Sequence, residues 1–233
     1  MKGKIISIAT NAILLVTILT VSLIGFFGSG AVAVSNESKN LYYSAENGVG
    51  VSLMFNVYEN TQNVEKILAT LEEYQAQATF FIGGSWADDN VDTVRKIFNA
   101  GHEVASHGYF HKDHSKMTLD GNLQEIRPSV KLINMICNTE IKLFAPPSGA
   151  FGENTLNACS SLGLKVIMWS RDTIDWRDND SDIVYKRATQ NLKQGEFILM
   201  HPKDCTVEAL PRVLTYIRDN GMQAVSVSRN LGE

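Results

Sequence analysis

Apolar, β-prone runs recur along the chain at Val49–Phe55, Ala78–Ile82, Glu103–Ser106, Ile141–Phe144, Lys165–Trp169, Phe197–Met200 and Ala224–Val227. Each is short enough for a strand. Between them the apolar spacing changes to that of one helix face: Val64, Ile67, Leu68 and Leu71 in one segment, Leu210, Val213, Leu214 and Ile217 in another. The longest helical pattern, Leu119 to Cys137, repeats through Leu123, Ile126, Val130 and Ile133, and Pro128 inside it predicts a kink or a division. Asn90 before one helix suits an N-cap, and Gly101, Gly163, Gly195 and Gly221 suit helix ends. About seven alternating β-α units predict an α/β fold: a distorted (β/α) barrel of parallel strands with helical crossovers. An open doubly wound sheet is the alternative; in both, chemistry belongs at the carboxyl ends of the strands.

The amino-terminal pattern is different in kind. After Lys2 and Lys4, the run from Ile5 to Phe27 carries no charge and is long enough to cross a hydrocarbon core of ~30 Å as one helix. Ala31-Val32-Ala33 has the small-x-small form of a signal-peptidase site, so residues 1–33 read as a signal peptide or, if retained, a membrane anchor. Either way the flanking lysines stay in the cytoplasm, and the rest of the chain is extracytoplasmic. Residues 34–48 are polar and aperiodic and read as a linker, leaving 49–233 as one domain.

Charge excludes one class of partner. Lys and Arg number 21 against 25 Asp and Glu, for a net charge of −4, and no basic stripe is present, so nucleic acid is set aside. The cysteines, Cys137, Cys159 and Cys205, are odd in number and widely spaced; they make no disulfide framework, and the first two sit at apolar helix positions.

The candidate chemistry is concentrated in HGYFHKDH, His107 to His114, which gathers three of the chain's five histidines. Imidazole is the commonest metal ligand and titrates near neutrality, although a solvated turn would read the same way. Strand order decides between them. His107 directly follows the strand EVAS, Asp172 and Asp175 leave the strand KVIMW, and His201 ends the strand EFILM. Ionisable groups from three separated segments therefore converge on one rim. His102 lies at the entry side of its strand and reads as structural.

These segments resemble, in order, the motifs of the polysaccharide deacetylases, the family 4 carbohydrate esterases. MFNVY, Met54 to Tyr58, stands where the family has TFDDG; HGYFH matches its pair of histidines; APPSG, Ala145 to Gly149, stands for RPPYG; RDTIDW matches an aspartate-bearing strand end followed by Asp-Trp; ILMH matches a leucine-rich strand ending in histidine. The resemblance implies a barrel that removes acetyl groups from chitin-like, peptidoglycan or xylan polymers with a divalent metal such as zinc. It implies His107 and His111 as metal ligands, His201 as the acid that protonates the leaving amine, Asp172 as the partner orienting that acid, and Trp176, Tyr58 and the Pro146-Pro147 turn as walls of the sugar groove.

The resemblance breaks at the other half of the machinery. Asn56 holds the position of the general base, and an amide cannot accept water's proton at neutral pH. Val57 holds that of the metal-binding aspartate, Ala145 that of the arginine, and Ser148 that of the aromatic residue. Three readings follow: a hydrolase whose two-histidine metal is completed by water or by His114; a pseudoenzyme that binds amino-sugar polymer in the old groove; or a membrane-proximal scaffold for a protein partner. Glu59 reads as an exposed loop residue with a smaller claim as a substitute carboxylate, His114 as surface, and Asp175 as a brace of the following turn.

Overall fold

The computed structural model describes residues 40–233. The expected leader, and residues 34–39 of the expected linker, lie outside them. Among the described residues no helix is long and apolar enough to cross a membrane.

Eight strands form one sheet: β1 (Leu41–Tyr42), β2 (Ser52–Val57), β3 (Thr79–Ile82), β4 (Glu103–Ser106), β5 (Leu143–Phe144), β6 (Lys165–Ile167), β7 (Arg171–Asp172) and β8 (Phe197–Met200). Their order is β1-β6-β5-β4-β3-β2-β8-β7, and every pairing between them is parallel. The result is a distorted (β/α) barrel with β1 and β7 as its edges.

Strand alternation divides the apolar residues into two layers. Leu53, Phe55 and Val57 of β2 pack outward with Phe80 and Ile82 and with the helix faces carrying Val64, Ile67, Leu210 and Val213. Met54 points the other way and joins Phe81, Ala105, Leu143, Ala145 and Ile167 inside the sheet. Because β2 is covered on both sides, all six of its residues are buried, as a central parallel strand requires.

Three elements differ from the sequence expectation. Leu41–Tyr42, within the stretch read as linker, pairs with Val166 and Ile167 as strand β1. Ala224–Val227 makes only one parallel bridge, Ala224 to Val51, because Ser226 accepts the Arg229 N–H and caps a helix over Val227–Asn230. Helix α1 (Leu119–Cys137) runs through Pro128 as one element, opened by Thr118, whose hydroxyl accepts the Gly121 N–H, and closed at Asn138 in the left-handed region. The helical crossovers bring the carboxyl ends of β2, β4, β7 and β8 to one rim, and the site stands there.

Candidate active site

Asn56, Tyr58, His107, His111, Asp172, Trp176 and His201 line one cavity of about 860 Å³. Each is placed by a strand end or by the loop directly after one. Register explains the convergence: Asn56 is opposite Phe81, Phe81 is opposite Ala105, and Met54 is opposite Leu199, so Asn56, His107 and His201 emerge at nearly the same level.

Burial disfavours positive charge on the histidine half of the cavity. His107 is buried at 1% exposure, and its Nδ1–H donates to the Ala145 carbonyl at 2.8 Å. This leaves the Nε2 lone pair free for another partner. Burial, with His111 and His201 adding repulsion, pushes its pKa from 6.5 down to about 3. Burial lowers His111 as well. The two rings meet edge to face, with centroids 5.2 Å apart. Tyr58 closes the far side against His111 while its hydroxyl is held by Ser85 and by the Tyr109 carbonyl, both at 2.7 Å.

The His201 side of the cavity holds a dyad, and its carboxylate is Asp175. His201 Nδ1 meets Asp175 Oδ1 at 2.8 Å, the His201 backbone N–H donates to Asp175 Oδ2 at 2.6 Å, and Thr206 Oγ1 donates to the same oxygen at 2.5 Å. Asp172, expected in this role, instead accepts the Ile174 N–H at 2.8 Å. The reason is local backbone geometry. Ile174 takes φ 54°, ψ 31° as the cap of helix α2 (Asp175–Asp178), which turns Asp175 inward beneath His201 and leaves Asp172 on the cavity wall. Asp175 thus braces His201 rather than only a turn. With its Nδ1–H held by the carboxylate, the His201 side chain is 24% exposed and lines the cavity.

The opposing half carries no replacement for what the sequence lacks. Asn56 is 5% exposed, and among the described residues its Oδ1 has no hydrogen-bond partner. Val57 belongs to the outer apolar layer, so a carboxylate built there would enter hydrocarbon. Ala145 is buried and contributes its carbonyl. Glu59 is exposed and pairs with Lys203 at the cavity rim.

Two further expectations change. His114 is fully buried, not on the surface. Its Nδ1 lies 2.7 Å from Asn122 Oδ1, its ring packs against Phe144, and it is not among the residues lining the cavity. Pro147 is buried and leaves the wall to its neighbour Ser148, while Trp176 stands 55% exposed at the rim. Among the described residues no group of three or more His, Cys, Asp or Glu could hold a metal ion. His107 and His111 are fitting donors in chemistry, being neutral imidazoles, but fall short of the three protein ligands of a catalytic zinc.

Comparison with known proteins agrees with this fold. YlxY of Bacillus subtilis, an uncharacterised protein, is 33% identical over 183 residues, covering 78% of this chain and 57% of its own length. The peptidoglycan-N-acetylglucosamine deacetylase of Bacillus cereus is 27% identical over 186 residues, covering 78% and 68%. The crystal structure of BA3943, a CE4 family pseudoenzyme from Bacillus anthracis, superposes with a TM-score of 0.79 at 29% identity, covering 82% of this chain and 68% of that one. The family model for polysaccharide deacetylases matches residues 45–167, and the chain belongs to that family.

Proposed function

We propose that the chain is a polysaccharide deacetylase-type hydrolase of the cell envelope, acting on an N-acetylated amino-sugar polymer laid along the cavity. The observation that carries this reading is that His201, braced from behind by Asp175, lines one cavity with His107 and His111. In this scheme Asp175 keeps the Nδ1 proton on His201; as water adds to the acetyl carbon its proton passes to His201 Nε2, which returns it to the leaving amine as the C–N bond breaks and acetate is released. Trp176 and Tyr58 flank the sugar. His107 and His111 would hold a divalent cation, zinc being the best match to two imidazoles, and such a cation supplies polarisation of the acetyl carbonyl. The leader from Ile5 to Phe27 would place the domain outside the cytoplasmic membrane, as a secreted or anchored protein.

A second reading has its own support. The unpartnered Asn56 Oδ1 and the apolar setting of Val57 favour a pseudoenzyme that binds the polymer without cleaving it. Acetate release from an N-acetylglucosamine oligomer separates the two. The hydrolase reading expects release by the wild-type chain that His201→Ala abolishes. No release, together with calorimetric binding of the same oligomer, establishes the binder. Release that is indifferent to His201→Ala refutes the mechanism.

A further inference from the structure

Helix α1 presents a buried polar row on one face: Asn122, Glu125 and Ser129, at the i, i+3, i+7 spacing of neighbours along a helix. Each touches the histidine-bearing loop at a different point. Ser129 Oγ lies 2.9 Å from Ser106 Oγ, immediately before His107, and that Ser106 oxygen also accepts the Gly108 N–H at 3.2 Å. Glu125 Oε1 accepts the Phe110 N–H, immediately before His111. Asn122 Oδ1 lies 2.7 Å from His114 Nδ1, at the loop's end.

Of the three, Glu125 is the least explained by stability. It is 2% exposed, and its nearest cation is the Lys112 ammonium at 3.9 Å, on a half-exposed side chain. A carboxylate held so deep against so distant a cation is a costly way to satisfy one backbone N–H. The loop it grips needs holding. His111 has φ 54° and Gly108 has φ 75°, and a Cβ at Gly108 would stand 3.1 Å from His114 Nε2 and 3.7 Å from Glu125 Oε1. The left-handed turn at His111 is unfavourable for a residue with a Cβ.

We propose that Glu125 is a positioning residue: by accepting the Phe110 N–H it holds the left-handed turn at His111 and so fixes the two imidazoles relative to each other. Asn122 and Ser129 set the ends of the same loop. This inference rests on the reading of His107 and His111 as a donor pair, and its test is independent of turnover.

Glu125→Leu removes the acceptor at similar volume, and Glu125→Gln keeps an acceptor oxygen without the charge. In the full chain, amide exchange at Phe110 and the ring resonances of His111 report the turn directly. Glu125→Leu should speed Phe110 exchange at least tenfold beyond any global change and shift the His111 ring signals. Glu125→Gln should restore both to within about threefold of wild type. Where Glu125→Leu does not fold, the glutamine variant decides alone: wild-type protection supports the role and its loss overturns it. A folded Glu125→Leu chain with wild-type exchange and ring signals also overturns it. Titration with zinc alone keeps the two readings apart. If the wild type binds zinc, Glu125→Leu should weaken binding at least tenfold. If the wild type binds none, the metal reading fails while the exchange data still decide the role of Glu125.

Discussion

Replacing Asp175 by asparagine tests the dyad at its most exposed assumption, that one carboxylate serves three donors. Asp175 is 1% exposed and accepts from the His201 backbone, the His201 ring and Thr206. Asparagine has nearly the same shape but only one acceptor oxygen, so at least one of the three donors must face the amide NH₂. A buried donor left unsatisfied costs about 1–3 kcal/mol, which the ring avoids only by moving its proton to Nε2, and hydrogen bonds to a charged group exceed neutral ones by roughly 1 kcal/mol each. Relief of the carboxylate's own desolvation offsets part of this. The net expectation is a loss of about 3 kcal/mol. Asp172→Asn is the control: its carboxylate is half-buried and loses only part of one bond, to the Ile174 N–H, so about 1 kcal/mol or less is expected. Urea unfolding followed by tryptophan fluorescence gives both values. Nitrogen-15 spectra of histidine-labelled protein read the tautomer, with the His201 proton on Nδ1 in wild type and in Asp172→Asn but not in Asp175→Asn. An Asp175→Asn variant within 0.5 kcal/mol of wild type, with its Nδ1 proton intact, would falsify the dyad; a larger cost for Asp172→Asn would return the role to the residue expected from sequence.

Asn56→Asp together with Ala145→Arg should raise acetate release from the oligomer by about 10²–10⁴-fold if the missing base limits the rate; unchanged release with unchanged oligomer binding would show that it does not. Val57→Asp should fail as a repair, because its side chain enters the outer apolar layer; a loss of about 3 kcal/mol or more in urea unfolding is expected, and a stable variant with tighter zinc binding would contradict the packing described. The acid sensitivity of the fold should include His102, which is 5% exposed beside Phe80 and whose pKa burial pushes from 6.5 down to about 4. The unfolded chain takes up this proton first, so the contribution is fully present above pH 6.5 and is lost as pH falls toward 4. At about 1.4 kcal/mol per pH unit the loss reaches about 3 kcal/mol, and it should be absent from a His102→Gln chain measured over the same pH range.

The parts of the fold that were legible in the sequence are those with strong local signals. Strands β4 and β8 have the bounds expected from their apolar runs, and the helix faces carrying Val64 to Leu71 and Leu210 to Ile217 are the buried ones. Strands β1 and β7 are two residues long, and a pair of residues has no measurable alternation, so they exist only through their neighbours. In the site, strand ends were enough to bring His107, His111 and His201 into one cavity. The choice between Asp172 and Asp175 was not readable, because it depends on a β-branched residue, Ile174, in the left-handed region, which propensity argues against. His114 looked solvated beside Lys112 and Asp113 because its partner, Asn122, comes from the next helix.

The shortness of β1 and β7 has a consequence for solubility. The edge strand of a parallel sheet can pair with a passing strand. Among the described residues both outermost strands are only two residues long, and on β7 the Arg171 guanidinium holds the carbonyls of Arg187 and Gln190 against it. The other end depends on the chain's own early residues: the Val166 N–H donates to Asn40 and the Met168 N–H to Tyr42, at 2.6 and 2.7 Å. Trimming the protein back to the start of β2 would uncover Lys165–Ile167, with the apolar Val166 and Ile167 at its centre, as a bare edge. Leu41–Tyr42 thus serves as a built-in blocker against strand-to-strand aggregation, and shortened forms meant for expression should begin before it.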